Sequence, residues 1–286
     1  MTMRLARTSA EIFVPDGLAL NKALARTTHM AVGAHQDDIE MMGVAGVLEC
    51  LQHDDRWFAG VVVTDGSGSP RDGLYSSLSD EAMRLVRRKE QRKAAVVGEY
   101  GVQVLLDHPS AAAKDAKETA VVHDLSALLD AARPEVVYSH NLADKHDTHV
   151  AVALRLIDAI RALPREARPR RLLGCEVWRD LDWMLDTDKS VLDLSAHANL
   201  QAALLGVFDS QIAGGKRYDL ATLGRRRAHA TFHATHATDT ASGVTFAMDL
   251  TPLVLDDSRD PLSFADEHTA RFAADVHARI DRLRGQ

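Results

Sequence analysis

Residues 35–40 read HQDDIE and place His35, Asp37, Asp38 and Glu40 in one short stretch. A second polar cluster, HNLADKHDTHVAV at 140–152, offers His140, Asp144, His146, Asp147 and His149. Neighbouring carboxylates repel unless a proton or cation neutralises them, and an imidazole beside them makes a divalent metal a natural partner. Catalytic zinc is commonly held by three protein ligands, with one position left open to water. The first stretch therefore predicts a further ligand elsewhere, and 140–152 is the place to find it. Taken singly, each acid also suits a helix cap that accepts bonds from free backbone N–H groups. A histidine cluster alone also suits an exposed loop. It is the pair of clusters that points to a metal.

Both clusters follow strand-like segments. The stretches 28–35, 57–66, 102–109, 135–140 and 171–178 are short, rich in Val and Leu, and bounded by Gly, Pro or Asp. Helix-like stretches at 42–54, 80–101, 119–132, 148–163 and 191–209 lie among them or follow them. Alternation of the two, with continuously apolar strands, predicts an α/β fold. We expect a three-layer, Rossmann-like, mostly parallel sheet with helices on both faces and a C-terminal extension. Ligands in such sheets sit beyond the C-terminal strand ends, which is where 35–38, 65–68 and 140–149 fall. The 286 residues fit one domain, 1–286, with a catalytic core over about 28–190. The extension, about 191–270, is expected to add helix and strand and to reach over the site.

Composition narrows the partners. A formal net charge of -7 supplies no basic field for a polyanion, so no nucleic acid is expected. Cys50 and Cys175 sit in apolar stretches and read as reduced, buried thiols of a cytoplasmic protein. No window is long and apolar enough for a transmembrane segment, and the first residues lack the apolar core of a signal peptide. The turn after the first strand lacks G-x-G-x-x-G and puts negative charge where a pyrophosphate would bind, which disfavours a dinucleotide cofactor. A small-molecule substrate remains, with a homo-oligomer left open.

The two clusters resemble the marks of the LmbE-like/PIG-L family of zinc-dependent N-deacetylases. That family carries A-H-P-D-D-E or A-H-P-D-D-I-E and a second motif near H-P-D-H, and here they read AHQDDIE and KHDTHVAV. VVTDGSGS, VRRKEQRKAA and EVWRDLDW are further matches, and KRYDLATLGRRRAHATF followed by MDLTPL is similar to a tail of some bacterial members. The resemblance runs over most of the chain from about residue 28. By position it implies His35, Asp38 and His149 as zinc ligands and Asp37 as general base. It implies that His146 assists the intermediate and protonates the leaving amine. Gln36 replaces the usual proline, which changes loop stiffness rather than ligation. Thr148 stands where the family has aspartate, with Asp147 one position early. That departure bears on how His146 is oriented and tuned.

The chemistry agrees. An amide is a poor electrophile with a poor leaving group, and its hydrolysis calls for a Lewis acid, a base and an acid. The resemblance implies removal of an acetyl or other small acyl group from the nitrogen of an amino-sugar-containing substrate. The cofactor would be Zn2+, although mixed N and O ligands also accept Fe2+, cobalt or manganese. An amidase for a larger N-acyl or thiol-sugar conjugate, and a non-catalytic metal- or sugar-binding protein, are the alternatives.

Residues around the site are read more coarsely. Glu40 is expected to cap the following helix. Asp65 either touches a sugar hydroxyl or closes a turn. Arg87, rather than Arg88, is the arginine expected near substrate. Trp178 and Trp183 are candidates for an aromatic wall or for core packing. His229, His233 and His236 form a possible second metal site, with a loop reaching over the substrate preferred. Arg225, Arg226 and Arg227 are expected at the surface, with an anionic group as a further possible partner.

Overall fold

A computed structural model describes residues 3–285. Eight strands form one sheet: β1 (Glu11–Phe13), β2 (His29–Gly33), β3 (Phe58–Thr64), β4 (Val102–His108), β5 (Val136–His140), β6 (Arg171–Cys175), β7 (Lys189–Asp193) and β8 (Val244–Asp249). Their order is β1-β4-β3-β2-β5-β6-β8-β7. The five central strands β4-β3-β2-β5-β6 run parallel, and these are the five read from the sequence. β1, β8 and β7 join antiparallel at the two sides.

The parallel strands are buried on both faces, so they carry apolar residues continuously and alternate only in which layer they face. Met30 and Val32 of β2 face one layer with Val61, Val104 and Leu172, whereas Ala31 faces the other with Val62, Leu105 and Leu173. The first layer holds α1 (Leu20–Ala25), α5 (Ser110–Lys114), α6 (Ala120–Ala132), α7 (Asp147–Arg161), α11 (Thr251–Leu255) and the start of α12 (Pro261–Arg284). The second holds α2 (Asp38–Met42), α3 (Val44–Cys50), α4 (Asp80–Val97) and α8 (Ala198–Gly206), with α9 (Asp209–Ile212) against α4 and α10 (Tyr218–Phe232) against α8 and β8. Among the described residues no helix is long and apolar enough to cross a membrane.

Two expected helices differ. The stretch 42–54 begins earlier and breaks at Gly43, where a Cβ would lie 2.9 Å from that of Ala31, so the chain packs directly on the sheet. The stretch 191–209 opens as a strand. Val191 and Asp193 are exposed while Leu192 and Leu194 turn inward, a period of two, and the segment pairs along β8. The rest of the extension, expected to add helix and strand, forms α10 and β8.

Chain order sets the position of the site. From β2 the chain steps to β3 and β4 on one side, and β5 and β6 lie on the other. The gap beyond the C-terminal ends of β2 and β5 is the topological switch point, where α/β sheets open a crevice. His35 follows β2, and His140 ends β5.

Candidate metal centre

The loop after β2 is clamped from both neighbouring strands. Ala34 donates its N–H to Nε2 of His140 at 2.9 Å, and its carbonyl accepts from Thr64 N–H at 2.9 Å and Thr64 Oγ1 at 2.7 Å. Gln36, in place of the family's proline, is buried and donates Nε2 to the Thr64 carbonyl at 3.2 Å. Gly66 gives that side chain room. It has φ +71°, and a Cβ there would stand 2.3 Å from Gln36 Oε1.

Asp37 then takes φ 93°, a left-handed conformation that is strained for a residue other than glycine. It sits at the N-cap of α2, yet its side chain makes no capping bond. Instead Oδ2 accepts from Nη2 of the buried Arg87 at 2.9 Å. Arg87 also donates to the Gln36 carbonyl. Burial raises the Asp37 carboxyl to about 6, the neighbouring Asp38 adds to that, and Arg87 opposes it.

Three potential ligand residues converge through four atoms. His35 Nδ1 lies 3.3 Å from Asp38 Oδ2, His149 Nε2 lies 3.4 Å from Asp38 Oδ1, and the two histidine nitrogens are 3.2 Å apart. Ligand atoms about 2.0–2.1 Å from a tetrahedral zinc stand about 3.3–3.4 Å from one another, so this spacing fits a shared ion. Burial works against ionisation of Asp38, but His149 and His140 beside it hold its carboxyl well below the usual range. Burial lowers His149 to about 4, which keeps its imidazole neutral, as ligation requires. His146 adds a nearby donor: its ring lies 4.5 Å from that of His149 and 5.0 Å from that of His35, within reach of a common ion. Burial and the facing His35 lower its pKa.

Asp144 does work that the sequence did not assign. Its Oδ2 lies 3.4 Å from His149 Nδ1 and accepts from Trp178 N–H at 3.1 Å, while Oδ1 accepts from His146 N–H at 3.0 Å. One carboxylate thus orients His149 and starts α7, where the family motif has its aspartate at the position of Thr148. Nδ1 of His146 has no partner among the described residues. His140 is fully buried, stacks on His149 at 3.9 Å, and places Nε2 3.4 Å from Asp38 Oδ2.

The walls form a cavity of about 370 Å³ that includes His35, Asp37, Asp38, Arg87, His146 and Trp178. Asp65 is not among them: its Oδ1 accepts from the backbone and hydroxyl of Ser67, closing the turn, while Gly66 lines the cavity. Trp178 stacks 6.3 Å from His146, whereas Trp183 packs away from the site against Phe272.

Other expectations need correction. Glu40 is no cap. It is fully buried, and its Oε1 accepts from Gln91 at 2.8 Å and Tyr100 at 2.9 Å. The same Gln91 accepts the Asp37 N–H at 3.3 Å, so Glu40 helps support the strained turn. Among the described residues His229, His233 and His236 form no metal cluster: His229 pairs with buried Glu176 at 3.0 Å, and His233 packs on Phe246. Arg226 is buried, donating to the carbonyls of Glu40 and Met41 at 3.0 and 3.1 Å and so tying α10 to α2. Arg225 bonds the Val177 carbonyl, and Arg227 stays exposed.

Residues 30–160 match the family described as PIG-L, GlcNAc-PI de-N-acetylase. The likeness to the PIG-L family is carried by this segment, a little under half of the chain. The matched segment contains both polar clusters and ends before Trp178 and the extension. No curated protein matches the chain significantly. Solved structures match its fold. A 4-carboxy-2-hydroxymuconate hydratase from Pseudomonas putida has a TM-score of 0.60 at 17% identity, covering 78% of this chain and 95% of its own. An N,N'-diacetylchitobiose deacetylase from Pyrococcus horikoshii has 0.57 at 18%, covering 78% and 84%. A deacetylase of the A40926 pseudoaglycone has 0.56 at 16%, covering 78% and 97%. One scaffold thus serves both a hydratase and deacetylases, so function must be argued from the site.

Proposed function

We propose that the protein is a metal-dependent N-deacylase that removes an acetyl or other small acyl group from the nitrogen of an amino-sugar-containing substrate. The observation that carries this reading is the division of carboxylates. Asp38 faces the histidine nitrogens, while the adjacent Asp37 turns from both the ligand cluster and the helix cap toward Arg87 and the cavity. A structural metal site has no use for the second group.

His35, Asp38 and His149 would hold the ion, Zn2+ in our reading, with Fe2+ as the ion the same donors also accept. When bound, it polarises the amide carbonyl and acidifies water. Asp37 takes a proton from the attacking water, and its proximity to about neutral pKa suits it to that task. Arg87 keeps the carboxylate aimed into the cavity rather than at the helix end. His146, at the start of α7 and facing His35, is left neutral by its lowered pKa and would relay to the departing nitrogen the proton that Asp37 takes from water. Trp178 supplies an apolar wall beside it for the sugar ring.

The test is release of primary amine from a panel of N-acyl amino sugars by metal-loaded protein and by Asp37→Asn. Amine release separates this reaction from water addition, which frees no amine. The expected loss in the variant is about 10²–10⁴-fold in kcat, with metal content retained. Turnover unchanged in Asp37→Asn would remove Asp37 as the base, and turnover of no panel member would overturn the reading.

A further inference from the structure

The protein is acidic overall, but the mouth of its cavity is not. Lys114, at the end of α5, and Lys216, just before α10, line that mouth. The ion pairs that lysines form among the described residues belong to Lys189, and neither Lys114 nor Lys216 makes one. The acids in the cavity wall are Asp37 and Asp38, and both are engaged, with Arg87 and with the histidine cluster. Two cations therefore face the cavity with no carboxylate to neutralise them.

Their location indicates which half of a substrate they would meet. Lys216 Nζ lies 5.0 Å from the Trp178 ring, and that ring stacks on His146. The backbone of Lys216 is fixed, its N–H donating to the Gln211 carbonyl at 2.8 Å and its carbonyl accepting from Tyr218 at 2.7 Å. Lys114 comes from a helix packed on α7, whose N-terminal end bears His146 and Thr148. Lys216 thus stands beside the imidazole assigned to the leaving nitrogen, and Lys114 lines the same cavity from the helix packed on α7. This assignment of sides rests on the N-deacylase reading.

We propose that the substrate bears an oxyanion, phosphate or carboxylate, on its amine-bearing half, bound between Lys114 and Lys216. Calorimetry on metal-loaded protein would compare glucosamine, glucosamine 6-phosphate and muramic acid, the last two presenting the two anion types. At least one anionic sugar should bind tenfold or more tightly than glucosamine, with the advantage shrinking as salt screens it. Lys114→Gln combined with Lys216→Gln should collapse that ratio toward one. Equal binding of all three sugars, or no binding, overturns the inference. So does a preference that survives in the double variant, because the anion would then lie on the metal. These binding results stand apart from turnover: a lysine-dependent preference without amine release would count against the N-deacylase reading and still support the anion site.

Discussion

Replacing Glu40 with glutamine should stabilise the protein above neutral pH and leave it unchanged in acid. Burial is the main cause that raises this carboxyl from 4.5 to about 7, opposed by hydrogen bonds from Tyr100 and Gln91. Between those values the unfolded chain has released a proton that the native protein still holds. Stability therefore falls as pH rises through that window and levels off above about 7. Each unit between the native and unfolded values corresponds to about 1.36 kcal/mol, so the full cost at pH 8 is about 3 kcal/mol. Glutamine reproduces the protonated form: its carbonyl can accept the same two bonds, and its amide replaces Oε2, which has no partner. The assay is urea unfolding of both proteins from pH 4 to 8 with chelator present, reading the midpoint difference at a common slope. The variant should match the wild type near pH 4 and gain progressively to pH 8. A difference independent of pH, or a variant less stable at pH 8, would refute a buried carboxyl that titrates near neutrality.

His149→Ala should remove stoichiometric metal and the rise in melting temperature on adding Zn2+, as read by elemental analysis and a thermal scan, since it deletes one of three converging donors. Asp144→Asn should weaken metal affinity about 10–100-fold in chelator competition, because it alters the group that faces His149 Nδ1. Gly66→Ala should cost about 1–3 kcal/mol in denaturant unfolding, given its φ of +71° and the approach to Gln36.

Some of the site was readable because its members are neighbours in sequence at the end of a strand. His35, Asp37 and Asp38 had to lie together, as did His146 and His149 one turn along a helix, and apolar runs marked the five strands that deliver them. Misreadings came where a residue's partner is remote. Glu40 looked like a cap from its place in a helix's first turn, but Tyr100 and Gln91 draw it inward from α4 and the residues that follow it. Arg226 looked exposed within RRR, but the carbonyls it bonds lie in α2. Residues 191–193 open the expected helix 191–209 but form strand, because β8, which pairs with them, is some fifty residues onward.

The sequence by itself determined the chemical types in the site, the strand ends that carry them, and the chain order that opens a crevice between β2 and β5. The motif resemblance already allots Asp38 to the metal and Asp37 to the base, but only the tertiary structure decided that Asp37 turns to Arg87 while Asp38 faces the histidines. That choice depends on one backbone angle at Asp37, held beyond its ordinary range by contacts from Arg87 and Gln91, roughly fifty positions away. Local sequence fixes which groups are near one another, but their orientation is set by packing and hydrogen bonds from elements that meet only when the sheet is complete.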